Sequence, residues 1–132
     1  MSDMLFIFTF GPIQTFIAEA RRGQDLFAGS AILSELADAA LKELLRNGAR
    51  AIYPSPDTQS KPNKLVMLID EKSAKDIGEK ARVALLKRWK SYAAEALKKA
   101  ERWQPAPDAE WSKIWERQTE NAWDCFWVAV PM

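Results

Sequence analysis

The segment Met4-Leu5-Phe6-Ile7-Phe8-Thr9-Phe10 constrains the fold more than any other stretch of this sequence. It is rich in β-forming residues and is stopped by Gly11-Pro12, so it reads as a strand. Neighbouring side chains on a strand point to opposite faces, and a half-buried strand therefore alternates apolar and polar residues. This one does not alternate: Phe6, Phe8 and Phe10 lie on one face, with Leu5, Ile7 and Thr9 on the other. Two later segments share the property. Lys64 to Asp70 sets Leu65, Met67 and Ile69 against Val66 and Leu68, and Trp123 to Val130 sets Phe126, Val128 and Val130 against Cys125, Trp127 and Ala129. A sheet built from such strands must be covered on both faces or present one face as an interaction surface.

The segments between these strands are helical. Pro12 suits the start of a helix, where its missing N–H is not needed. Ile13, Phe16, Ile17 and Ala20 follow on one helical face. Gly23 and Gly29 are expected to interrupt that helix, with Ser30 as the N-cap of the next. Leu33, Leu36, Ala37, Ala40, Leu41, Leu44 and Leu45 then repeat at i, i+3, i+4 and i+7, a helix closed by Asn47-Gly48. Ala49 to Tyr53 is a short strand, and the proline-rich stretch Pro54 to Asn63 is a loop. After the Lys64–Asp70 strand, Ser73 is expected to cap a long helix reaching Trp103. Its inner face carries Ile77, Ala81, Ala84, Leu85, Trp89, Ala93, Ala96 and Leu97. Pro105 and Pro107 break it, and Asp108 starts a further helix through Trp111, Ile114 and Trp115. The order is βαββαβ, with an extra helix before the last strand. That predicts an α+β, ferredoxin-like antiparallel sheet with helices on one face.

With both strand faces apolar and helices for only one, the second face needs a lid. The candidates are the Trp-rich segment around Trp111 and Trp115, or another domain or subunit. Phe6, Phe8, Phe10, Trp111, Trp115 and Trp127 are accordingly the candidate interface residues.

Composition removes whole classes of chemistry. The 132 residues, of which 48% are hydrophobic and 28% charged, suit one globular domain. They include no histidine and one cysteine, Cys125. A His-based acid, base or triad is therefore excluded, as are an intrachain disulfide and a thiolate zinc cage. The net charge of +1 argues against bulk nucleic-acid or membrane binding. Without a leader or an apolar span, and with a single cysteine, the chain is expected in the cytoplasm, away from membranes.

Four local features invite a functional reading. The Gly11-Pro12-Ile13-Gln14 junction is either a plain turn or a place where helix N–H groups receive an anion. It lacks the glycines of a Walker or dinucleotide loop. Arg21, Arg22 and Asp25 beside Gly23 form either a solvated ion-pair cluster or a basic edge for phosphates. Asn63 and Lys64 fit turn chemistry at the start of the third strand. Lys42, Lys87, Arg88, Lys90, Lys98 and Lys99 are interspersed with glutamates and read as solvated faces. An RNA-binding module would stack bases on sheet aromatics, and the third strand has none.

Gly11-Pro12-Ile13-Gln14-Thr15-Phe16-Ile17, Ala20-Arg21-Arg22, Asp25-Leu26-Phe27-Ala28-Gly29-Ser30 and Leu33-Ser34, read together, resemble a known family. They are similar to the start of the first palm domain in the large subunit of type III-B CRISPR (Cmr-branch) effector complexes. Ile52-Tyr53-Pro54 and Pro62-Asn63-Lys64 fit the same pattern. The sequence departs from it at Gly23-Gln24, where the family has a threonine and a basic residue, and at Phe27, where tryptophan is common.

The resemblance implies a palm/cyclase-like domain in CRISPR antiviral defence. Two palms pack together and bind ATP between them, for conversion to cyclic oligoadenylate once target RNA is recognised. It implies ATP and a divalent metal for the complete subunit, and no cofactor for this chain alone. The implied partners are a second palm domain, other effector subunits and, indirectly, guide and target RNA. The metal-binding Gly-Gly-Asp-Asp hairpin belongs to the second palm. Here, two-metal chemistry would need converging carboxylates. Thr9-Phe10-Gly11 has none, the Pro54–Lys64 loop holds only Asp57, and Asp70 stands at the far end of its strand. No catalytic or metal-binding residue is therefore assigned. Gly11, Gln14, Arg21, Arg22 and Ser30 are the candidate nucleotide-binding residues. The chain, 1–132, is expected to be a piece of a longer subunit or a separately encoded first palm. The alternative is a purely structural docking domain for neighbouring subunits of an RNA-guided complex.

Overall fold

The computed structural model describes residues 3–18, 23–103 and 109–132, without the side chains of 17, 24–27, 103 and 109. The elements run β1 (Asp3–Gly11), α1 (Ile13–Ala18), α2 (Gly23–Arg46), β2 (Arg50–Tyr53), β3 (Lys64–Asp70), a 3-10 turn (Glu71–Ser73), α3 (Ala74–Trp103), α4 (Ala109–Glu120) and β4 (Asp124–Pro131). The sheet order is β2-β3-β1-β4, and every neighbouring pair is antiparallel. Each helical crossover skips one strand, the ferredoxin-like arrangement expected from the βαββαβ order.

The phenylalanines of β1 form the centre of the core. Phe6, Phe8 and Phe10 are 0%, 0% and 2% exposed. In register beside them stand Met67 and Leu65 of β3, and Ala129, Trp127 and Cys125 of β4. Above this face, α2 lays down Leu36, Ala37, Ala40, Leu41 and Leu44, and α3 adds Ile77, Ala81 and Leu85, all buried. The apolar periodicity of both helices is thus spent against one side of the sheet.

Three local expectations are corrected. Gly29 and Ser30 do not break a helix; both lie inside the 24-residue α2. Gly29 is buried there, and a glycine within a helix costs only about 1 kcal/mol against alanine, which flanking packing overcomes. Ser30 is an exposed mid-helix residue and caps nothing. Nor does Ser73 cap α3: Asp70 opens the 3-10 turn instead, its carboxylate accepting from the Lys72 N–H at 3.2 Å. The inner face of α3 is also shorter than its sequence pattern. Beyond Trp89, Ala93 and Leu97 are only half-buried and Ala96 is exposed. A 30-residue helix is about 45 Å long and outruns a seven-residue strand of about 23 Å. The breaks expected at Pro105, Pro107 and Asp108 lie outside the described residues.

The end of α2 agrees with its sequence. Gly48 takes φ +92°, and the N–H groups of Gly48 and Ala49 donate to the Leu45 and Leu44 carbonyls, each at 3.1 Å. A left-handed residue after a helix is the usual seat of glycine.

Gly78 serves close packing instead. Its position on α3 presses against the indole of Trp127, so that a Cβ there would overlap the ring. Trp127 in turn stacks on Phe8 at 6.2 Å between centroids. Replacing Gly78 with Ala is expected to lower stability by about 1–3 kcal/mol, as overpacking does, read as an earlier midpoint in urea unfolding. An unchanged midpoint would mean that α3 can move off the sheet freely.

Candidate functional site

The second face of the sheet is open. Tyr53, Phe126, Val128 and Val130 are 55%, 61%, 52% and 48% exposed, and Leu5, Ile7, Val66 and Leu68 lie half-buried between them. The expected lid from α4 is not formed. This helix sits on the helical side of the sheet, where Thr119 accepts a hydrogen bond from the Trp89 indole N–H at 2.9 Å. Trp111 and Trp115 stack on each other, 5.7 Å apart. Among the described residues, nothing covers the open face.

Four expected interface residues therefore need correction. Phe6, Phe8 and Phe10 are core, and Trp127 points to the same helical side. Strand parity explains the reversal: the open surface belongs to the alternate residues, Leu5, Ile7, Val66, Leu68, Phe126, Val128 and Val130. Trp111 and Trp115 remain half-buried on α4, away from that surface.

At the Gly11 end of the sheet, the polar groups are arranged around the turn. Asn63 clamps it from both sides: Phe10 N–H donates to the Asn63 carbonyl at 3.4 Å, and Asn63 Nδ2 donates to the Phe10 carbonyl at 3.2 Å. The Gly11–Pro12 peptide is cis. Gln14 is exposed on α1, which has only six residues and so a small dipole. Arg21 and Arg22 lie outside the described residues. Gly11 and Gln14 thus share one end of the sheet, and Ser30 is exposed on the neighbouring α2.

The Pro54–Asn63 loop is strapped down by residues that the sequence reading passed over. Lys61 is buried; its N–H donates to Ser34 Oγ at 2.8 Å, and its Nζ reaches the Pro56 carbonyl at 3.2 Å and Asp38 at 3.7 Å. Ser34, noticed only as part of a motif, and Asn63, read as turn chemistry, therefore act together. They fix the loop on α2 and the turn on β1.

A solvent-open cleft of about 430 Å³ lies on the helical side of the same turn, lined by Pro12, Thr15, Phe16, Arg117, Gln118, Asn121, Ala122 and Trp123. Sequence reading missed it because it joins the start of α1 to the end of α4. Its aromatic wall is Trp123, 6% exposed and packed on Phe10, Phe16 and Trp89 with centroids 5.7, 5.1 and 5.4 Å away. A second groove, between α2 and α3, carries Lys42, Arg46, Lys80, Lys87 and Arg88. Four of these five cations are ion-paired, with Asp38, Glu43, Asp76 and Glu35. That groove is the solvated face expected from its sequence.

Among the described residues, carboxylates do not converge at the Gly11 end. Asp70 pairs with Asp3 in register at the opposite end, where Asp3 bonds Arg50 at 2.8 Å. Asp57 is exposed in the loop, and Asp124, which the sequence reading did not weigh, faces Gly11 across the β1–β4 ladder. Among the described residues, no three metal-binding side chains form a group. Also among them, no helix is long and apolar enough to cross a membrane.

An antiparallel sheet of this order, helices on one side and an apolar face free on the other, defines an α+β ferredoxin-like domain with one sheet surface available. Residues 5–61 match the family model described as CRISPR-associated protein Cmr2, N-terminal. That stretch runs from β1 into the strapped loop and takes in the motifs between Gly11 and Ser34. No curated protein matches the chain.

Cys125 supplies a probe of the β4 edge. Burial pushes its thiol up to about 11 from 9.0; Arg82 opposes the shift, and Asp124 and Glu79 add to it. Raising the pKa favours the neutral thiol, so at pH 8 the reactive thiolate is about 100-fold scarcer than for a free cysteine. Alkylation by iodoacetamide is expected to be correspondingly slow in the folded chain and to accelerate as pH rises towards 11. Full-speed labelling at pH 8 would show that β4 is not held against α3.

Proposed function

We propose that this chain is a non-catalytic first palm domain of a type III effector large subunit. In this reading it supports ATP binding, and so cyclic oligoadenylate synthesis, at an interface with a second palm domain. The observation that carries the reading is the free apolar sheet face: Phe126, Val128 and Val130 are about half exposed or more. A contiguous surface of this kind marks a place where another domain seats. The Gly11 turn stands at the end of the central strand, so a partner on that face would meet Gly11 and Gln14 at its border. Divalent metal and the carboxylates that hold it would come from the second palm, since two-metal phosphoryl transfer needs converging acids. Asp57, Asp70 and Asp124 are spread over both ends of the sheet.

A second reading, purely structural docking within the RNA-guided complex, rests on the same open face without nucleotide. Two substitutions separate them. A Cβ at Gly11 would meet only the Ile13 nitrogen at 3.7 Å, an ordinary contact, so Gly11→Ala probes ligand approach and leaves the fold alone. In the complete subunit, Gly11→Ala and Gln14→Ala are expected to weaken ATP binding by several-fold, measured calorimetrically. Val128→Glu is expected to loosen association with the rest of the subunit, read by size-exclusion chromatography. If Val128→Glu dissociates the assembly while both turn variants bind ATP normally, docking alone is the function.

A further inference from the structure

The sheet has two outer edges, and the sequence guards only one of them. At one edge, β2 has four residues, opens on Arg50, is bulged between Ala51 and Tyr53 and runs into Pro54. Shortness, charge, bulges and proline are the devices that stop an edge strand from pairing with another chain. At the other edge, β4 has eight residues and follows β1 without a bulge. Its one charge is Asp124 at the start, and its one proline is Pro131 at the end. Among the described residues, no strand lies on its outer side.

The backbone direction along that edge is fixed. Met132 N–H donates to the Asp3 carbonyl at 3.3 Å, next to the Met4–Pro131 pair. Antiparallel strands alternate hydrogen-bonded and non-bonded pairs, so Val130, Val128 and Phe126 turn their backbone groups to β1. Ala129, Trp127 and Cys125 turn theirs outwards, and so does Pro131, which has no N–H to lose there. The outer edge therefore offers three N–H groups and their carbonyls, beside the exposed side chains of Phe126, Val128 and Val130.

An open edge takes a further strand by backbone hydrogen bonding, and side chains decide which strand fits. The strand that fits β4 is β4 itself. Laid antiparallel on a second copy about a two-fold axis at Trp127, Cys125 faces Ala129 of that copy and Trp127 faces its own equivalent. Every outward N–H then meets a carbonyl in a reciprocal pair. A shifted register would set Cys125 against Pro131, which cannot reciprocate. On the open face, Phe126 comes opposite Val128 in both directions, a favourable pairing of aromatic with β-branched side chain. Asp124 comes opposite Val130, so no like charges meet. We propose that this chain forms a two-fold dimer through the free edge of β4, joining two four-stranded sheets into one continuous sheet. The dimer does not depend on the nucleotide reading above, and it leaves the open sheet face free.

The test is the mass of the full 132-residue chain in solution, by sedimentation equilibrium over about 1–100 μM, where modest self-association appears. A species of twice 15.0 kDa is expected to dominate at the upper end, and a chain that stays at 15.0 kDa overturns the proposal. Ala129→Pro removes an outward N–H and no bond to β1. It is expected to raise the dimer dissociation constant about tenfold or more, since symmetry loses the bond twice, with circular dichroism unchanged. Val66→Lys, on the open face of β3, is expected to leave the dimer intact. If it abolishes the dimer, the copies meet face to face and the edge is not the interface.

Cross-linking needs no weakened variant. In a Cys125→Ala background, Phe126→Cys combined with Val128→Cys is expected to give a disulfide-linked dimer on mild oxidation, because directly opposed residues lie within disulfide reach. Neither substitution alone should do so. No cross-link from the pair, or an equal one from either substitution alone, overturns this pairing of β4 with itself.

Discussion

Three phenylalanines on alternate positions of a central strand hold this domain together. Phe6, Phe8 and Phe10 are sealed from solvent between β3, β4 and the two long helices. Burying one such side chain contributes on the order of 2–3 kcal/mol, and aromatic neighbours add to that. Everything else is placed relative to this ladder. Trp127 stacks on Phe8 and brings α3 close enough to demand glycine at position 78. Phe10 sets Trp123, which gathers Phe16 and Trp89 and so ties both α1 and α3 to the start of β4.

The same ladder divides the molecule into a side that is finished and a side that is not. Because strand residues alternate, the burial of Phe6, Phe8 and Phe10 sends Leu5, Ile7 and Thr9 outwards, together with Val66, Val128 and their neighbours. A domain meant to stand alone would place polar residues there. This one keeps aliphatic residues, and polar chemistry is concentrated at the Gly11 edge, where Asn63, Ser34 and Lys61 fix the turn and the loop. The open apolar face and the polar Gly11 edge are thus set by the same strand.

Much of this was legible from the residue pattern. The absence of alternation in β1, β3 and β4 identified both apolar faces, and the βαββαβ order gave the sheet topology. What it could not assign was which face the helices take. Phe6 and Ile7 are equally apolar, so choosing the helical side depends on packing volume across three strands. The misplaced cap at Ser30 has the same origin, since a buried glycine and a local stop look alike in one dimension. The cleft at Arg117 and the Lys61 strap were invisible for a different reason: each joins residues distant along the chain through side chains that are individually ordinary. Asn63 and Ser34 were in view, but only their contacts turn them into a clamp.

The position of β1 also determines when this domain can exist. Its two ladder partners are β3, ending at Asp70, and β4, ending at Pro131. Met4 lies beside Pro131 in the finished sheet. On a ribosome, the most hydrophobic strand is therefore made first and its outer neighbour last. At about 5–20 residues per second, the wait between them is roughly 6–25 s. During that interval β1 is open along one edge and aromatic along its length, the combination that invites wrong pairings. Such long-range closure is intrinsically slow, which makes the nascent chain, more than the folded domain, the state most in need of a chaperone.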